Sequence, residues 1–175
     1  MIRKFLQIFI IFSLTSCGFQ VIYKEKKTGL SYEKELAAIK IQKDSGRLSQ
    51  ELRNALHDLF NPDNLKIDAK YILVLNTQSF TTSTFTTSTG SSGRNRVVIN
   101  IKYELIDIKD GKLLAQGETN VGDNYDVQTN RFGTYSADEY TRLNVTKVAA
   151  QNIRNFLVND IIEFHKKDDE KFMKK

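Results

Sequence analysis

The stretch Val97-Val98-Ile99-Asn100-Ile101-Lys102-Tyr103-Glu104-Leu105 decides how this chain folds. Val97, Ile99, Ile101, Tyr103 and Leu105 alternate with Asn100, Lys102 and Glu104, the period of two that marks a strand with one buried and one wet face. Clean alternation belongs to antiparallel sheet, since a sheet covered on both faces shows continuous apolar runs. Just beyond it, Asp110-Gly111 is a tight-turn signal. Leu113, Ala115, Gly117 and Thr119 then alternate with Gln116, Glu118 and Asn120 in a further strand, with Tyr125 and Val127 placed to extend it. On the N-terminal side, Tyr71, Leu73 and Leu75 share one strand face while Ile72 and Val74 occupy the other. Both faces are apolar there, which suits a central strand.

Between these strands, residues 77–93 are dominated by Ser, Thr and Gly, with Phe80 and Phe85 among them. Threonine favours extended backbone, so the segment is expected to prolong both strands into a long hairpin with its tip at 88–93. Arg94 and Arg96 follow the tip. They are the candidate ligand-binding residues, because guanidinium groups pair with phosphates; as gatekeeper charges beside an apolar strand they would also keep the hairpin soluble.

Further out, the alternation of Ala37, Ile39 and Ile41 with Ala38, Lys40 and Gln42 reads as a short half-buried strand, and the domain is expected to begin near Leu36. After Asp44-Ser45-Gly46, Leu48, Leu52, Ala55, Leu56 and Leu59 fall at helical spacing, and Asn61-Pro62 ends that helix. His57 within it has no acid or nucleophile at a recognisable spacing. A last helix carries Val145, Val148, Ala149, Ile153, Phe156, Leu157, Ile161 and Phe164 as one stripe, with Ser136 and Glu139 as a capping-box start and His165 at its end. The order β-α-β-β-β-α makes an α+β two-layer sandwich: one mainly antiparallel four-stranded sheet with two helices packed on one face.

Composition narrows function. The 175 residues are 40% hydrophobic and 27% charged, which fits one globular domain. The formal charge is +5, and loss of Arg3 and Lys4 with residues 1–16 leaves about +3. So modest a charge does not call for nucleic acid. The single cysteine rules out an internal disulfide and a Cys-based metal site. No nucleophile motif, paired histidines or phosphate loop is present, and Gly90 to Gly93 with Arg94 is too loose to be one. Asp123, Asp126, Asp138 and Glu139 cluster in sequence, but capping and turn roles account for them. The chain is expected to be no enzyme and to need neither metal nor cofactor.

The N-terminus has the pattern of an export signal. Arg3 and Lys4 precede an apolar run from Phe5 to Leu14, about half the roughly twenty residues that span a membrane. The run ends in Leu14-Thr15-Ser16-Cys17-Gly18, which resembles the lipobox of bacterial lipoproteins. That resemblance implies a diacylglyceryl thioether on Cys17, cleavage before it and acylation of the new amine. Several acyl chains make a durable anchor, at about 0.8 kcal/mol per buried CH₂. Gly18, rather than Asp, after the cysteine favours the outer membrane by analogy with lipoprotein sorting. The expected organisation is a signal peptide at 1–16, a lipid-anchored tether at 17–35 with the charged run Lys24 to Lys27, the folded domain at 36–165, and a charged flexible tail at 166–175.

Across the mature chain, the lipobox with Gly18-Phe19 and Tyr23, the helix Gly46-Arg47-Leu48-Ser49-Gln50-Glu51-Leu52-Arg53-Asn54-Ala55-Leu56, and the stretch from Tyr125-Asp126-Val127 through Tyr135 to Glu139 and Arg142 resemble the LptE-type lipopolysaccharide-assembly lipoproteins. The resemblance implies a lipoprotein on the periplasmic side of the outer membrane. Such a protein plugs and supports assembly of a large LptD-type β-barrel and contacts lipopolysaccharide on its way to the outer leaflet. It maps no ligand residue, so Arg94 and Arg96 stand on position and charge alone. The rival reading is a free-standing periplasmic binding or adaptor lipoprotein with no barrel partner.

Overall fold

Residues 32–86, 88, 90 and 92–173 are described by the computed structural model of the chain. The signal segment, Cys17 and the tether up to residue 31 lie outside the described residues. The first element is a short helix, α1 (Tyr32–Ala37), followed by strand β1 (Ile39–Ile41). The strand read over residues 37–42 is therefore shorter, and residues 32–35 of the expected tether are helical. Burial explains why. Leu36 is 2% exposed and its neighbour Glu35 only 6%. A strand sends successive side chains to opposite faces, whereas a helical turn can bury both. Glu35 accepts hydrogen bonds from Lys70 Nζ and the Tyr71 hydroxyl, each at 2.9 Å, so its carboxylate is paired where it is desolvated.

Helix α2 (Arg47–Phe60) follows and buries Leu52, Leu56 and Phe60. It leads to the long strands β2 (Tyr71–Thr86), β3 (Ser92–Asp107) and β4 (Leu113–Asp126). The sheet order is β1-β2-β3-β4. β2 and β3 pair antiparallel from Tyr71↔Asp107 to Thr82↔Arg96, with an irregularity near Ser83 and Phe85. β3 and β4 pair antiparallel as well. β1 pairs parallel with β2, Ile39 opposite Tyr71, which makes the sheet mixed. A helical crossover brings the chain back to the starting end, so the strands it joins run the same way. β2 is central, as its two apolar faces require. The Ser/Thr-rich segment does prolong β2 and β3, and β4 runs through Tyr125. Val127 lies just past β4, with its N–H on the Gly93 carbonyl at 3.1 Å.

The turn between β3 and β4 closes with Gly111 N–H on the Asp107 carbonyl at 3.0 Å. Gly111 has φ +67°, a left-handed value that glycine adopts without steric cost.

The last helix, α3 (Arg131–Met173), starts five residues before the expected capping box. Asn130 is its cap: its Oδ1 accepts the Phe132 N–H at 2.9 Å. Ser136 and Glu139 are interior, and Glu139 turns its carboxylate to Arg47 on α2 instead. The backbone stays helical through residues 166–173, which were expected to be a flexible tail.

Both helices cover one sheet face. Leu52 and Leu56 of α2, and Val145, Ala149, Ile153 and Leu157 of α3, pack on Leu73, Val97, Ile99, Ile101 and Leu105. Two residues of the expected stripe lie at its margin, Val148 and Phe156, at 42% and 43% exposure. Phe156 stacks on Tyr103, with centroids 6.4 Å apart and rings inclined by 13°. Tyr103 in turn covers Gly117, where an added Cβ would meet its hydroxyl oxygen at 2.5 Å.

Candidate functional site

The alternation that buries Val97, Ile99 and Ile101 sends their neighbours to the uncovered face of the sheet. Arg94, Arg96, Val98, Asn100, Lys102 and Glu104 therefore share that face on β3. Their partners on β2 are Val74, Asn76, Gln78, Phe80, Thr82 and Phe85, and on β4 Gln116, Glu118, Asn120, Gly122, Asn124 and Asp126. The middle is polar, with Asn120 donating across the strands to Asn100. Toward the hairpin tip the character changes. Phe80 is 43% and Phe85 60% exposed, and both lie among threonines and arginines.

Here Thr84, Phe85, Gly93, Arg94, Arg96, Asn124 and Asp126 line an open recess of about 650 Å³. The structure brings both candidate arginines to it but gives them different states. Arg94 Nε donates to Asp126 Oδ1 at 2.7 Å; that hydrogen bond, then the carboxylate's charge, raises the Arg94 pKa further. Both groups are solvated, so the pair is worth little to stability, but it takes up part of Arg94's binding capacity. Arg96 is different: among the described residues no carboxylate pairs with it. Its side chain passes over Gly122, where an added Cβ would stand 3.0 Å from Arg96 Nε and 3.0 Å from the Val97 carbonyl. Gly122 is thus a site residue that sequence reasoning missed. A glycine in a strand does signal close approach, but nothing in sequence says by what.

The acidic residues that cluster in sequence are separated in space. Asp126 holds Arg94, Asp138 holds Arg142 at 2.8 Å, Glu139 holds Arg47, and Asp123 accepts the Asn124 N–H at 2.7 Å. Each has a structural partner, but for three of the four it is an arginine side chain and not the cap or turn backbone that was expected. Among the described residues no group of three or more His, Cys, Asp and Glu side chains could hold a metal ion. His57 lies by a small recess with Arg53, Asn54 and Ile39, away from the hairpin residues. No described helix is long and apolar enough to cross a membrane.

A recess flanked by an exposed ring and a guanidinium with no carboxylate partner among the described residues can hold an amphiphile with an anionic head: the cation takes a phosphate or carboxylate, and the ring takes apolar or sugar surface.

Comparison with known proteins adds the family. Among curated proteins, no sequence matches significantly. Among solved structures, a protein of Caulobacter crescentus CB15 described as a lipoprotein aligns with a TM-score of 0.64 at 20% identity, over 75% of this chain and 96% of that one. Rare lipoprotein B of Shewanella oneidensis aligns with a TM-score of 0.57 at 14% identity, over 73% and 96%. At these identities the likeness is one of fold. The model of the lipopolysaccharide-assembly family LptE matches residues 34–163, which include the sheet, the hairpin arginines and most of both long helices. The chain belongs to the LptE lipopolysaccharide-assembly family.

Proposed function

We propose that this protein is an outer-membrane lipoprotein, anchored through lipid on Cys17, that plugs and supports assembly of an LptD-type β-barrel translocon and offers its hairpin recess to lipopolysaccharide. The observation that carries the reading is the pairing of Arg96, without an acidic partner among the described residues, with the exposed Phe85 ring at the rim of one recess. Lipid A phosphates suit the guanidinium, and the glycolipid's sugar or acyl surface suits the ring.

The uncovered sheet face supports the plug role. Its middle is lined by amides and opposed charges: Asn76 and Gln78 on β2, Asn100 and Lys102 on β3, Glu118 and Asn120 on β4. Such a face loses little when it meets a polar, water-lined lumen and would lose much against lipid. The helical layer buries the centre of its apolar stripe, Val145, Ala149, Ile153 and Leu157, against the sheet, so the domain can enter the lumen as a folded body. Nothing in this role requires a covalent change.

The test is affinity purification of tagged full-length protein from outer membranes solubilised in mild detergent, followed by mass identification. A near-stoichiometric large β-barrel is the expected companion. Recovery of the protein alone from well-solubilised membranes would favour the free-standing adaptor. Cys17→Ala should release the protein to the periplasm; membrane attachment that persists without a barrel partner would contradict the anchor.

A further inference from the structure

We infer that Arg142 is a positioning residue: its guanidinium braces the root of the hairpin against α3, and so sets where Arg96 and Phe85 stand. The inference rests on the reading of the hairpin recess as the lipopolysaccharide site.

The inward face of β2 changes character along its length. Tyr71, Leu73 and Leu75 are buried apolar residues. The next inward positions are Thr77, Ser79, Thr81 and Ser83. Apolar packing therefore stops after Leu75, and hydroxyl groups take over the attachment of the strand to the helices. Thr77 shares a 2.8 Å hydrogen bond with Ser49 of α2. Ser79 and Thr81 are both held by Arg142 of α3, Nη1 donating to Ser79 Oγ at 3.0 Å and Nη2 to Thr81 Oγ1 at 2.7 Å.

The third arm of the guanidinium is fixed as well. Arg142 Nε donates to Asp138 Oδ2 at 2.8 Å, one helical turn earlier. The pair is half-buried, at 34% and 20% side-chain exposure. Asp138 thereby orients the fork, and the fork's flat geometry directs its two outer nitrogens at successive inward hydroxyls of one strand. A lysine could make one such contact but not both in fixed directions.

The same corner reaches the other two strands. Asn95 of β3 donates to the Tyr125 hydroxyl of β4 at 3.1 Å. Tyr125 lies close to the ion pair: burial raises its pKa, the Asp138 carboxylate raises it further, and the Arg142 charge opposes this. One corner of α3 thus grips β2 directly and lies beside the tyrosine that ties β3 to β4, where the hydrophobic core ends and the hairpin begins to project. Thr82 and Arg96 are cross-strand partners directly next to Thr81. A hairpin free to bend at this root would carry Arg96, Phe85 and the recess with it, and ordering them on binding would cost affinity.

The test uses two variants, one that removes only what Arg142 grips and one that alters the guanidinium itself. Ser79→Ala with Thr81→Val leaves the ion pair intact and keeps strand propensity. Arg142→Lys keeps the charge and loses the fork. The full chain, purified from membranes in mild detergent, is compared by amide hydrogen exchange, thermal melting and binding of fluorescent lipid A in the same detergent. Arg96→Ala serves as the direct-contact control. We expect both brace variants to exchange amides at 82–86 and 92–96 about tenfold faster while 97–105 is unchanged, with melting little moved. Lipid A affinity should fall about fivefold. Arg96→Ala should lower affinity with no change in exchange. Unchanged exchange in both brace variants would overturn the inference. So would faster exchange with full affinity, if Arg96→Ala still binds weakly; the recess reading would then survive alone. If Arg96→Ala binds lipid A normally, the recess reading fails and the positioning role falls with it.

Discussion

Arg94 and Arg96 are two residues apart and share a sheet face, yet the molecule treats them differently. Arg94 is paired with Asp126, and Arg96 passes over Gly122 toward the recess. Arg96→Ala should therefore weaken lipid A binding about tenfold at low salt, and Arg94→Ala by clearly less, because its charge is already offset. Titration of lipid A into each variant at two ionic strengths checks this, and equal losses would contradict the ranking. Tyr103 sets a second residue-level expectation. Burial, helped by the Asp160 charge, pushes its phenol up to about 12. A raised folded pKa favours the neutral phenol in the fold. Its stabilising contribution is whole below the unfolded value near 10 and is lost as pH rises through about 12. Melting temperature should fall over that window, and fall less in Tyr103→Phe. Gly117 lies under the same ring, so Gly117→Ala should destabilise by about 2 kcal/mol through overpacking. Chemical denaturation measures it, and an unchanged midpoint would show that the Tyr103 ring can move aside.

At the scale of elements, the ends of helices and strands were the least legible from sequence. Ser136 and Glu139 have the spacing of a capping box, but Asn130 is an equally good cap and lets five more residues join α3. Helix propagation is cheap once a nucleus exists, so the earlier cap prevails. Asn130→Ala should cost about 1 kcal/mol of stability and fray the first turn. Amide exchange limited to the start of α3 would show it, whereas an unchanged first turn would return the start to Ser136. The hairpin's length could be read from its threonines. Its attachment could not, because Ser79 and Thr81 look like any other solvated hydroxyls until Arg142 of α3 lies against them.

On the scale of the whole molecule, stability resides in the layer between the sheet and the two helices. Leu56 and Ile101 are 0% exposed on opposite sides of it. Truncating either to Ala should cost about 2–5 kcal/mol, far more than any change on the uncovered sheet face. Equilibrium unfolding of the two variants beside Lys102→Ala tests the contrast. The asymmetry matters for the proposed function: one face of the sheet is committed to the core, and the proposal assigns the other, with the hairpin beyond it, to a partner and a ligand.

Local pattern by itself determined a great deal here. A period of two in residues 97–105, two apolar faces in residues 71–75, a period near 3.6 in two helical stretches and the turn at Asp110-Gly111 depend only on neighbours in the chain, so they specified the two-layer α+β fold and the centrality of β2. The lipobox pattern and the order of short motifs pointed to the family that the match over residues 34–163 establishes. What only tertiary structure decided involves residues distant in sequence. These are the burial of Glu35 beside Tyr71 that turns residues 32–37 helical, the parallel pairing of β1, and the dispersal of the acidic cluster onto Arg47, Arg94 and Arg142. The division of labour between Arg94 and Arg96 belongs with them. Which charge is paired depends on cross-strand register and on what a glycine leaves open, and neither is a property of the segment in which the arginines lie.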